Sequence, residues 1–171
     1  MGSDLITLLN SHRLYIDAEN ENFASNFVNI EGYKASLSKK KVLLKTWYDG
    51  YLFCLWIGIS FDRRKKNYKL KEKASKGWGI RGDQYIYLIS RILSKKEILI
   101  ELNLDSKRSI LENKVNPEYL SNSIKKICDE FSFGGLDYLK EIFEKNDELF
   151  DSTEYFEIIT KDLKLTDYSR Y

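Results

Sequence analysis

A chain of 171 residues that is 43 % hydrophobic and 14 % aromatic can bury one sizeable core and is neither disordered nor a string of domains. One proline and nine glycines are few breakers, which favours long helices over a many-stranded β fold. The net charge of +2 averages over opposites: residues 63–81 carry +8, whereas residues 129–171 carry −7, and such asymmetry speaks to partners.

The expected architecture is mainly α, α+β at the margin. Residues 1–171 form a single compact helical domain with about six to seven helices and a candidate β-hairpin at 41–60. Within it, 63–81 is expected as a basic surface helix or loop and 129–171 as an acidic helical C-terminal part. The N-terminus, MGSDLITLLNSHRLY, lacks the basic stretch and long apolar run of a signal peptide. The longest apolar run, YLFCLWIGISF (51–61), is about half a membrane helix. The chain is therefore expected to be soluble and cytoplasmic, with no membrane partner. Cys54 and Cys128 each sit in an apolar run, so they are expected to be buried free thiols of a reducing compartment.

In chain order, SDLITLLNSH reads as a short helix, with Ser3 as N-cap, Asp4 at the positive helix start and Leu5, Ile6, Leu8 and Leu9 on one face. Residues 18–38 place Phe23, Phe27, Ile30, Tyr33 and Leu37 on one helical stripe, interrupted by Gly32. Residues 41–60 have two readings. Asp49-Gly50 is a favoured hairpin turn, which would pair Tyr48 with Tyr51, Leu44 with Leu55 and Val42 with Ile57. Yet Leu44, Tyr48, Tyr51, Leu55 and Ile59 also share a helical face. The central breaker and the aromatic enrichment favour the hairpin.

GDQYIYLISRIL is a helix, with Asp83 at its start and Tyr85, Ile86, Leu88, Ile89, Ile92 and Leu93 as its buried stripe. Ser94 and Glu97 have capping-box spacing. Asn116-Pro117-Glu118 is the clearest start signal: cap, proline at the first helical position, then an acid. That helix is expected to carry Tyr119, Leu120, Ile124, Ile127, Cys128 and Phe131 and to stop near SFGG. Two further helices are expected, one on Leu136, Leu139, Ile142 and Phe143, the other on Tyr155, Phe156, Ile158 and Ile159 after a capping box at Asp151–Glu154.

Residues 55–93, LWIGISFDRRKKNYKLKEKASKGWGIRGDQYIYLISRIL, resemble a ribbon-helix-helix unit in their order: short strand, basic helix, glycine turn, apolar helix. The resemblance implies a dimer whose strand enters the major groove. The strand here, LWIGIS, lacks the outward polar residues that would read bases, and the first helix and turn are too long for the family by about two residues, so no residue role is carried over.

Little else points to chemistry. His12 is the one histidine and is expected at the surface or in a cap. One histidine and two scattered cysteines cannot build a common zinc site. FGG and GWG lack the context of a phosphate loop. Asp105 with Glu112 and Lys114 is the one set suggestive of a metal-dependent nuclease, and it falls in what reads as an exposed, salt-bridged helix. No cofactor, metal or catalytic residue is expected.

The basic segment, RRKKNYKLKEKASKGWGIR, is the functional lead. Clustered cations bind phosphate backbones through counterion release, and aromatics stack on bases. The expected nucleic-acid-binding residues are Arg63, Arg64, Lys65, Lys66, Lys69, Lys71, Lys73, Lys76 and Arg81 on phosphates, with Tyr68 and Trp78 stacking. Gly77 and Gly79 bracket Trp78 and suggest an accessible turn. The expected function is therefore a non-catalytic nucleic-acid-binding accessory protein. The alternative is a protein-interaction module, either a subunit of a larger complex or an inhibitor, in which the acidic C-terminal part answers the basic segment within one chain or between two copies.

Overall fold

A computed structural model describes residues 2–25, 44, 46–74, 78, 82–111 and 115–145. In chain order they form α1 (Gly2–Asn10), β1 (Leu14–Asp17), a 3-10 turn (Ala18–Asn20) running into the short α2 (Glu21–Ala24), α3 (Trp47–Ser60), β2 (Leu70–Ala74), α4 (Gly82–Ile92), α5 (Lys96–Glu101), α6 (Arg108–Leu111) and α7 (Pro117–Glu144). The domain is mainly helical with one small antiparallel sheet, as expected, but the strands come from elsewhere.

The hairpin expected at 41–60 is not formed by 47–60, which is helical throughout. Thr46 caps α3: its Oγ1 accepts from the Asp49 N–H at 3.2 Å and donates to the Asp49 carboxylate at 2.8 Å. This reciprocal cap places Asp49-Gly50 in a first helical turn. The helix is apolar on nearly every side, with Leu55 and Ile57 at 0 % exposure, as a helix at the centre of a core must be. The sheet instead pairs β1 with β2, antiparallel, in the register Tyr15↔Glu72, Ile16↔Lys71 and Asp17↔Leu70, with an irregularity between Leu14 and Tyr15.

α7 crosses α3 and supplies the other half of the core. Asn116 Oδ1 accepts from the N–H groups of Glu118 at 2.9 Å and Tyr119 at 3.3 Å, and Pro117 opens the helix. The expected stop at SFGG does not occur. The helix runs 28 residues, about 42 Å, and the segment carrying Leu136, Leu139 and Phe143 is its second half. Gly134 and Gly135 would each weaken an isolated helix by about 1 kcal/mol. Here they serve close approach. A Cβ on Gly135 would collide with the Cys54 carbonyl, and one on Gly58 with the Phe131 carbonyl, so the backbones of α3 and α7 meet directly.

Around this pair, α4 contributes Tyr85, Leu88, Ile89 and Ile92, and Leu9 of α1, Ile98 and Leu102 close the core. Ser94 does not cap α5: its hydroxyl donates to the Ser90 carbonyl at 2.8 Å and accepts from Lys107 at 2.5 Å. α5 ends as α3 does, on a left-handed residue, Asn103 (φ 54°), with the Leu104 N–H returning to the Leu99 carbonyl at 2.8 Å. Both cysteines are free and buried. No described helix is long and apolar enough to cross a membrane.

The ribbon-helix-helix order does not hold. LWIGIS lies within α3, and the first eleven residues of the basic run, 63–73, are extended chain and strand with no helix. Phe27, Ile30, Tyr33, Leu37, Val42, Tyr155, Phe156, Ile158, Ile159 and the Asp151–Glu154 box lie outside the described residues.

Candidate nucleic-acid interface

The basic segment begins where α3 stops. Asp62 takes a left-handed backbone (φ 52°) and the Arg63 N–H returns to the Gly58 carbonyl at 2.8 Å, closing the helix with a Schellman turn. The chain then runs as an extended strap over α7, where the Lys65 N–H donates to the Glu130 carbonyl at 2.9 Å. It reaches β1, where the Lys69 carbonyl accepts from the Ala18 N–H at 2.8 Å and the Lys69 N–H donates to the buried Asp17 carboxylate at 3.3 Å. Gly134 lets the strap lie this close, since a Cβ there would collide with the Arg63 carbonyl.

The strap sorts its cations into two sets. Arg64, Lys65 and Lys73 turn inward, their side chains 16, 19 and 12 % exposed. Arg64 forks between Glu101, at 2.7 and 3.1 Å, and the buried Glu130. Lys65 sits 2.6 Å from Asp17 and 3.3 Å from Asp137. Lys73 binds Glu21 and lies 4.6 Å over the Trp47 ring. Hydrogen bonds from Arg64 hold the Glu101 carboxyl below its usual range, and the Lys71 and Lys73 ammonium groups do the same for Glu21. Burial pulls Lys65 down, but Asp17 and Asp137 more than offset it and the net shift is upward.

The other set faces solvent. Arg63 is 48 % exposed and 3.9 Å from Glu141. Lys71 is 52 % exposed and shares Glu21 with Lys73. Lys66 and Lys69 are exposed, with no ion pair among the described residues. Lys76 and Arg81 lie outside the described residues.

The two aromatics differ from expectation. Trp78 is buried, stacked on Tyr85 with centroids 4.2 Å apart and planes 14° off parallel, with the Tyr48 and Tyr51 rings at 4.9 and 5.3 Å. Four aromatic rings claim one another there, which removes Trp78 from solvent despite its flanking glycines. Tyr68 is half-buried with its ring against Phe133 at 4.8 Å. Burial first, then the Asp129 and Glu130 charges, push its hydroxyl pKa upward.

A second polar group was not legible in the sequence. His12 is 5 % exposed, not superficial. Its Nε2 lies 3.5 Å from the Asp129 carboxylate, which also accepts from the Tyr51 hydroxyl at 2.7 Å. The Tyr15, Tyr51 and Tyr85 rings surround it at 6.1 to 6.4 Å. The group lacks an activated nucleophile. Burial pushes the Cys54 thiol up to about 12, and burial with the Asp129 charge pushes Cys128 well up, so both thiols stay protonated and inert. A cavity of about 20 Å³ beside Tyr15, Tyr51, Cys54, Phe133 and Leu136 has room for one water-sized guest and not for a substrate. Among the described residues no group of three or more His, Cys, Asp or Glu side chains could hold a metal ion. Asp105 is exposed, and Glu112 and Lys114 lie outside the described residues.

The chain matches no protein-family model, no curated protein and no solved structure.

Proposed function

We propose that this is a non-catalytic nucleic-acid-binding protein whose strap contacts phosphates through Arg63, Lys66, Lys69 and Lys71. One observation carries the reading: Arg64, Lys65 and Lys73 turn inward and fix an extended strap to the body, whereas Arg63, Lys66, Lys69 and Lys71 stay exposed, Arg63 and Lys71 while also pairing with Glu141 and Glu21. Anchored cations are already neutralised and contribute to fold, whereas solvated cations release counterions from a phosphate backbone when they meet it. Four contacts predict weak, salt-steep binding, with Kd of roughly 1 to 100 µM at physiological salt.

The test is filter binding by the intact chain against duplex DNA at two salt concentrations. Reversing Arg63, Lys66, Lys69 and Lys71 to Glu should abolish binding while the far-UV circular dichroism is kept. Equal binding by that variant, or none by the parent at low salt, refutes the proposal. A second reading, a protein-interaction surface, has its own observation: Leu70 is 53 % exposed between two lysines, an apolar contact that a phosphate backbone would leave unused.

A further inference from the structure

We infer that the polyanion is a double-stranded nucleic acid held by its phosphates, with its bases untouched; the inference rests on the nucleic-acid reading above. Proteins that hold single strands combine a basic track with free aromatic faces on which bases stack. The strap has the track, and among the described residues three aromatic faces near it are occupied. Trp78 is 2 % exposed against Tyr85. Tyr68 packs on Phe133. Tyr138, beside the start of the strap, carries the Arg63 guanidinium 5.0 Å over its ring and Phe61 at 4.7 Å.

Beyond the lysines, base-edge readers are scarce: Arg63, the exposed arginine of 63–73, lies over the Tyr138 ring and 3.9 Å from Glu141. Asn67 is the one amide side chain on residues 63–73 and is exposed, and a single amide cannot specify a sequence. From Arg63 to Lys71 the chain spans at most about 29 Å when fully extended, less than the ~34 Å of one duplex turn. A row of this length lies along one groove edge, where a duplex offers a charge per ~1.7 Å of axis. Contacts to phosphate position a protein without reading bases.

The experiment uses the intact chain with a fluorescently labelled duplex of about two turns, its separated strand, and a second duplex of unrelated sequence, across a salt series. The duplex should bind several-fold tighter than the strand, and the two duplexes should agree within about twofold. The logarithmic salt slope should be about −3.6 for four contacts, against about −2.8 if the same four cations held a single strand. Asn67→Ala should leave every affinity unchanged. Strand binding as tight as duplex binding, discrimination between the two duplexes, or a loss in Asn67→Ala would overturn the inference and leave the nucleic-acid reading standing. Binding to neither form would overturn both.

Discussion

Gly135→Ala is the sharpest probe of the fold. In a solvated helix this change stabilises by about 1 kcal/mol. Here the new methyl would run into the Cys54 carbonyl, with the Gly58 N–H at 2.8 Å behind it. Neither obstacle is a side chain that can rotate away; both belong to the backbone of α3 at Cys54 and Gly58, which are buried. Relief requires the two helices to part, and a gap of even 0.5 to 1 Å forfeits about a quarter to a half of each contact across it. Overpacking of this kind costs about 1–3 kcal/mol and occasionally more. Because both obstacles are backbone, the cost belongs at the upper end, about 3 kcal/mol; with the propensity gain of about 1 kcal/mol subtracted the net loss is about 2 kcal/mol, which lowers Tm by roughly 4–8 °C for a chain of this size. Urea and thermal unfolding followed by circular dichroism measure it. A variant as stable as the parent, or more stable, would refute the backbone contact. Gly134→Ala is the companion: its methyl meets the strap rather than α3, so it should destabilise less and increase proteolytic cutting between residues 63 and 69.

Two other outcomes follow from the ion pairs. Asp17→Ala removes the acceptor of Lys65 and of the Lys69 N–H. Uncompensated buried pairs cost about 3–5 kcal/mol, but Lys65 is partly solvated and keeps Asp137, so about 2 kcal/mol is expected in the urea midpoint; no change would show the anchor to be idle. The pH dependence has a definite sign. Glu21 and Glu101 have lowered pKa values when folded, so their contribution is present above the ordinary value of 4.5 and is lost as pH falls through the lowered ones. Lys65 and Arg64 are raised, so their contribution is complete below their ordinary values and is lost only as pH rises through the raised ones. Melting temperature should therefore fall between pH 5 and 3 by less in Glu101→Gln than in the parent; parallel curves would contradict this.

What could be read from the sequence was local. Asn116-Pro117-Glu118 marks the start of α7 because cap, proline and acid act within one turn. The α4 stripe was legible because its apolar residues fall on one face. The rest depended on partners distant in the chain. Gly134-Gly135 reads as a breaker until another helix arrives to use the space, and Asp49-Gly50 reads as a turn unless Thr46 is recognised as the cap. Lysines at 69, 71 and 73 alternate with period two, a strand signal masked by the charge. Arg64 and Glu130 are 66 residues apart and Lys65 and Asp137 are 72 apart, so no window could pair them. His12 sits against Asp129, on the far helix, with nothing in its own neighbourhood to announce it.

The opposite charges of the basic segment and of the acidic C-terminal part turn out to be partly one interaction. Glu130, Asp137 and Glu141 lie seven and four residues apart on α7, which places them along one side of the helix. They meet Arg64, Lys65 and Arg63 in turn. The described part of the acidic segment, residues 129–145, therefore meets the basic one within a single chain, and three of the basic segment's cations are paired there. A polyanion arriving at the strap would have to displace these carboxylates to reach Arg64 or Lys65, losing hydrogen bonds that are already formed and partly buried. Among the described residues Lys66 and Lys69 make no ion pair, although the Lys66 charge helps to hold the Glu101 carboxyl down. On the proposed function, stability and binding would fall to different side chains of the same eleven residues: Lys65→Gln should lower the unfolding midpoint and leave the salt slope unchanged, whereas Lys66→Gln should reduce the slope by about 0.9 and leave the midpoint where it was.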